Sequence, residues 1–179
     1  MMRLEVVRLV TDALNDPTTG VNAQLPGVPR DADDAMPPNV NIYDETNDDF
    51  VIERLPPPKL PAIYVMLDGT ITTTGQYLAG TYRETTRSVF VTLRYIVSNQ
   101  DHVRGAADAD YTMRAAVRAI AAMFYAGGQK TPVRNSIAIL TLTSMSYIPA
   151  RESVGDATVA GALVIEFNRV RDTAPFTGG

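Results

Sequence analysis

The chain has 179 residues, of which 45% are hydrophobic and 20% charged, enough apolar material for one ordinary domain with its own core. It contains no cysteine, which excludes disulfide scaffolds, thiolate metal sites, iron–sulfur ligation and thiol catalysis together. A formal net charge of -4 argues against non-specific attraction to nucleic-acid phosphates, which needs clustered Lys and Arg.

The first segment, MMRLEVVRLVTDALNDP, is broken by Arg3, Glu5, Arg8 and Asp12, so it reads neither as a signal peptide nor as a membrane span, and a cytoplasmic soluble product is expected. Leu4, Val7, Thr11 and Leu14 recur at spacings of three and four, with Val6 and Val10 beside them, which predicts an amphipathic helix over residues 2 to 15. Asn15, Asp16 and Pro17 end it, and Gly20, Pro26, Gly27 and Pro29 predict irregular chain after it.

Between Asp31 and Glu53 stand eight acidic residues, Asp31, Asp33, Asp34, Asp44, Glu45, Asp48, Asp49 and Glu53, with no Lys or Arg among them. This stretch reads as a long acidic loop, with a short strand at Val40 to Tyr43. Pro56 to Pro58 stiffen the approach to a strand over Ala62 to Leu67, which Asp68 and Gly69 are expected to close as a turn. The Thr- and Gly-rich stretch from Thr70 to Thr86, carrying Tyr77 and Tyr82, predicts a protruding hairpin.

Strict alternation follows over Arg87 to Ser98. Val89, Val91, Leu93, Tyr95 and Val97 should face the core, and Phe90, Thr92, Arg94, Ile96 and Ser98 the outside, where Phe90 and Ile96 make a candidate contact surface. A second helix is predicted over residues 109 to 126, capped by Asp108 or Asp110, with Met113, Val117, Ile120 and Phe124 on its apolar stripe and Arg114 with Arg118 on another face. Gly127 and Gly128 stop it. Two long strands, Ser136 to Ile148 and Thr158 to Val170, are separated by Pro149, Glu152, Gly155 and Asp156; so short a connection makes them antiparallel. Residues 171 to 179 read as a flexible tail after a single domain over residues 1 to 170. The fold class is α+β: a mostly antiparallel β-sheet with two α-helices packed on one face, a long acidic loop and the hairpin.

No chemical motif of a common enzyme class is complete. The single histidine, His102, falls in a polar turn. Gly127 to Thr131 echoes the end of a phosphate-binding loop but follows a helix instead of opening one. Asp44 to Asp49 lacks the glycine and the distal glutamate of a calcium hand, since Asp49 and Leu55 stand at those positions, although a looser cation site among these carboxylates is compatible with the sequence. Absence of tryptophan removes the usual sugar-stacking platform, and neither a Gly-x-Ser-x-Gly nor a Ser-x-x-Lys motif occurs. The chain therefore reads as non-enzymatic, with no cofactor and no metal.

The order of MMRLEVVRLVTDAL, a long loop into PPPKLPAIYVML, then TRSVFVTLRYIVSN, YTMRAAVRAIAAMF, SIAILTLTSMSYI and GALVIEFNRV resembles the tail terminator, or tail completion, proteins of long-tailed bacteriophages over roughly residues 1 to 170. That resemblance implies a hexameric ring that caps the tail tube, stops its polymerisation and meets the head connector or neck proteins, at the tail–neck junction of a virion made in the host cytoplasm. It implies DNA passing through the lumen without specific binding, and no membrane. A closed ring needs two different patches that meet on neighbouring subunits. Candidate patches are Phe90, Arg94 and Ile96 on the strand, and Tyr77 and Tyr82 on the hairpin; Asp31, Asp33, Asp34, Asp44, Glu45, Asp48 and Asp49 are candidates to line the lumen or dock a partner. Another joining protein of the neck, a tail tube subunit, and a monomeric ligand-binding or enzymatic α+β domain remain as alternatives.

Overall fold

The computed structural model describes residues 2–45, 59–78, 82–98, 102–124, 133–135 and 138–175. Helix α1, Met2–Asn15, buries Val6, Val7, Val10, Ala13 and Leu14. Its buried seam thus runs through Val7, Val10 and Leu14, to one side of the expected line, and Thr11 is only partly covered.

The chain stops being helical at Asp16, whose carboxylate accepts the amides of Thr18 and Thr19 at 2.8 and 2.7 Å while its carbonyl accepts the Gly20 amide. A side chain at position 20 would meet that carbonyl oxygen at 2.3 Å, so only glycine closes this turn. The irregular stretch expected next is instead a short helix, α2 (Val21–Gln24), running into a 3-10 turn over Leu25–Gly27. Pro26 sits in the first turn, where its missing amide costs nothing. Val21 and Leu25 are fully buried, and that burial overrides the weak helical propensity of the segment.

One sheet of six strands, in the order β1-β2-β3-β6-β5-β4, organises the rest. β1 (Asn41–Asp44) lies parallel to the start of β2 (Ala62–Leu78); β2, β3 (Tyr82–Ser98), β6 (Ala157–Pro175) and β5 (Ala138–Val154) are successively antiparallel; β4 (Val133–Asn135) pairs with the first residues of β5. The hairpin expected over residues 70 to 86 is real, and it is the continuation of β2 and β3 rather than a separate element, pairing as far as Leu78 with Tyr82. Asp68 and Gly69 do not close a turn: the register shifts between Leu67 and Gly69, and the strand continues past a bulge. β6 also outruns its expected end, since Thr173, Ala174 and Pro175 pair with Glu84, Arg83 and Tyr82, which places residues 171–175 in the sheet and not in a tail.

The β5–β6 turn is only Gly155 and Asp156, with Gly155 at φ 59, a conformation glycine adopts without strain. Pro149 lies inside β5 beside a second register shift. Further shifts occur between Arg87 and Val89 and between Leu142 and Ser144, roughly level with the bulge at Asp68. This line of irregularities crosses all four long strands, which run on beyond it toward the hairpin.

Helix α3, His102–Phe124, begins earlier than its expected start at residue 109. His102 opens the helix instead of lying in a turn, and Asp108 and Asp110 are interior. Asp110 pairs with Arg114 at 2.6 Å, one turn on. Gly105 permits the early start, because its bare Cα lets the helix approach Val97, whose methyl a Cβ would meet at 3.0 Å. Met113, Ile120 and Phe124 are buried as the periodicity requires, and Ala109, Ala115, Ala116 and Ala119 are buried beside them, small enough for close packing on both sheet and α2. Phe124 meets Phe167 with ring centroids 5.4 Å apart. Gly127 and Gly128, expected to stop the helix, lie outside the described residues.

Candidate oligomer interface

The alternation of β3 divides the sheet into two faces of different character. Val89, Val91, Leu93, Tyr95 and Val97 are all buried and join α1, α2, α3 and Leu163, Ile165 and Phe167 of β6 in the main core. On the other face no described helix contributes to the packing. A small second cluster at one end holds Ile96, Ala157 and Val159, with Leu60, Tyr64 and Ala150 packed against it.

Register places the remaining residues of that second face in rows. Tyr64, Arg94, Ala162 and Ile148 form one, Met66, Thr92, Val164 and Ser146 the next, and Phe90, Glu166 and Ser144 a third. Met66, Phe90, Ala162 and Val164 are half-buried, and Ile148 is 50% exposed. Thr92 donates from its hydroxyl to the Asp68 carboxylate at 3.0 Å, which turns the bulge at Asp68 into a fixed feature of this face. Ser144 reaches the Glu166 carboxylate at 3.4 Å. The phenol of Tyr64 is held above its ordinary pKa, chiefly by burial and then by the negative charges of Glu45 and Asp44, against the opposing effect of Arg94.

Phe90 and Arg94 are therefore on the open face as expected, both half-buried. Ile96 is not: it is fully buried in the second cluster, because the chain around Leu60 and the β5–β6 end fold over that corner of the sheet. Tyr77 and Tyr82 stand next to the tip of the hairpin, at opposite strand positions one step apart, and their side chains lie outside the described part of the structure.

The acidic stretch is not one loop. Asp31, Asp33 and Asp34 are exposed and lie near α3, where the Asp34 carboxylate accepts a short hydrogen bond from the Tyr111 hydroxyl. That bond is the main reason the Tyr111 phenol is raised above its usual pKa. The guanidinium of Arg114 stacks on the Tyr111 ring at 5.7 Å, and Arg118 donates to the Gly27 carbonyl, so the arginine face of α3 holds down the segments that cross it. Asn22 closes the far end by exchanging two hydrogen bonds with the backbone of Val40, at 3.0 and 2.9 Å. Asp44 is buried within β1, and Glu45 is exposed just after it, with its carboxylate 3.4 Å from the Leu67 amide. Asp48 and Asp49 lie outside the described residues. Among the described residues no group of three or more His, Asp or Glu side chains stands close enough to hold a metal ion, and no helix is long and apolar enough to cross a membrane.

Of two contacts that the sequence reading missed, one had a weak signal. Gly161 interrupts an otherwise well-patterned strand, which often marks a close approach; a Cβ there would lie 2.8 Å from the Tyr147 hydroxyl and 3.2 Å from Ala109. The Asn22 clamp has no local signature, because its partner is far along the chain. Chemically, the open face offers half-buried apolar side chains interleaved with Arg94, Glu166 and Asp68, a composition suited to a protein partner.

No protein-family model matches the sequence, and no curated protein matches it. Among solved structures, the chain is similar to one in the virion of a native gene transfer agent particle, over 92% of this chain and 92% of that chain, at 14% identity and a TM-score of 0.41. So low a score leaves much of the two backbones apart, and no functional statement follows from it.

Proposed function

We propose that this protein is a non-enzymatic structural subunit of a phage-type virion, the tail terminator that forms a ring, hexameric in the family it resembles, on the end of the tail tube. One observation carries the reading: a sheet packed by helices on one face only, whose other face presents Met66, Phe90 and Val164 half-buried beside Arg94 and Glu166. Half-buried apolar side chains interleaved with charges on a face that no described helix covers are the composition of a subunit contact. The element order that resembles tail terminators supports the more specific assignment, with the tail tube and the head connector or neck proteins as partners and DNA passing through the lumen.

A second reading, a tail tube subunit, is favoured by the length of the strands: four of them run for 17 to 19 residues. The two readings separate on assembly. Light scattering across a concentration series, followed by negative-stain imaging with and without purified tail tubes, is expected to give single closed rings or a subunit that forms rings only on tube ends. Long tubes of this protein alone would favour the tube subunit. A strict monomer that ignores tubes would overturn both.

A further inference from the structure

We infer that successive copies of this chain are joined edge to edge, β5 of one copy pairing antiparallel with β2 of the next. The inference rests on the ring reading above and specifies which surface closes the ring.

Four observations carry it. First, among the described residues both outer long strands have unpaired runs. β1 covers β2 only from Ala62 to Val65, and β4 covers β5 only from Ala138 to Leu140. Beyond the Leu67 amide, next to Glu45, β2 is open to Leu78; β5 is open from Thr141 onward, with Thr143, Ser144, Ser146 and Ile148 exposed. A row of unpaired backbone groups is a template for another strand.

Second, the polarity fits. Since β2, β3, β6 and β5 alternate in direction, β2 and β5 are antiparallel, and a neighbour's β2 placed beside β5 continues the alternation without turning the subunit over. That is the heterologous arrangement which rotation about a single axis closes into a ring.

Third, the open runs overlap in level, with Leu67 to Thr70 of β2 level with Leu142 to Met145 of β5. Ser144 is paired with Glu166, Glu166 with Phe90, and Phe90 with Gly69. Among the described residues, β1 blocks β2 at the level of Ile148 and β4 blocks β5 at the level of the hairpin, and between them that overlap is uncovered on both edges.

Fourth, apart from Asp68 and the bulges already described, neither run carries a charged side chain or a proline to keep edges apart. Gly69 to Leu78 and Thr141 to Ile148 contain no Lys, Arg, Asp, Glu or Pro, and Pro149 appears where the open stretch of β5 ends. Two edges opposed in direction, overlapping in level and poor in charge within one chain select a second copy as the occupant.

The absence of native cysteine makes the test direct. Asp68 and Ser144 are both exposed, and in one chain they are separated by three strand spacings, about 14 Å, too far for an internal disulfide. Asp68→Cys and Ser144→Cys are made singly and together, with Ser146→Cys as a second partner to allow for a two-residue slide. Under mild oxidation, mixing the Asp68→Cys protein with either β5 variant is expected to give covalent dimers and nothing larger. Each single variant alone stays uncrosslinked, and the double variant gives a ladder up to the full ring. Rings seen by microscopy without any cross-link in the mixtures would overturn the edge pairing and leave the ring reading intact. Dimers from Ser144→Cys alone would overturn it in favour of a two-fold contact, and a monomer at every concentration, with and without tube ends, would overturn both.

Discussion

The two faces of β3 belong to one strand and carry similar numbers of large side chains, yet only one of them joins the main core; the other adds Ile96 to a small cluster at one end. Leu93 and Tyr95 are sealed in the main core that the helices cover, whereas Phe90 and Arg94, on the opposite face of the same strand, remain half-covered. What separates them is where the helices lie. Alternation sets two faces for any strand, and the connections that carry α1 and α3 decide which face is covered.

Substitutions on adjacent residues of β6 give the sharpest break of that comparison. Leu163→Ala on the covered face is expected to cost about 2–5 kcal/mol of stability in urea unfolding, while Val164→Ala on the open face costs under about 1 kcal/mol and loosens assembly instead. Equal losses for both would mean that the open face is also a monomer core. Gly161→Ala follows in size. It drives a methyl into the Tyr147 ring and the Ala109 side chain, for an expected loss of about 1–3 kcal/mol, and replacing Tyr147 by a smaller side chain should recover part of it. If the double variant shows simple additivity, the contact is not what makes glycine necessary.

A smaller effect of opposite sign is expected at Thr112, fully buried in α3 with a hydroxyl that has no hydrogen-bond partner among the described residues. Thr112→Val keeps the shape and removes the buried polar atom, so stability should hold or rise by up to about 1 kcal/mol. A clear loss would reveal a partner for the hydroxyl in the assembled state.

The smallest expected effect is that of alkaline pH. Burial holds the phenols of Tyr64 and Tyr147 above their ordinary value, so the folded state keeps its protons longer than the unfolded chain. Their contribution is complete below about pH 10 and is lost as pH rises through the raised values. The thermal midpoint should therefore fall on the alkaline side, less steeply in Tyr147→Phe; identical slopes would remove Tyr147 from the account.

From local pattern alone, α1, the buried residues of β3, the apolar stripe of α3 and the antiparallel β5–β6 pair could be read, because each rests on a period of 3.6 or 2 within one stretch of chain. The α+β class follows from their order. The sites were less legible. Ile96 looked exposed by parity, but the chain near Leu60 and the β5–β6 end fold over it. Asp68–Gly69 carries turn chemistry that a bulge uses equally well, so only the pairing of β2 with β3 distinguishes a stop from a continuation.

Asp34 meeting Tyr111, Asn22 meeting Val40, and the splitting of the acidic stretch between α3 and β1 join residues far apart in sequence. Periodicity carries no information about such meetings. The sequence by itself determined which side chains need burial and which segments are regular; tertiary structure decided what covers them, how far the strands run, and which edges stay open, since those depend on the packing of distant segments against one another.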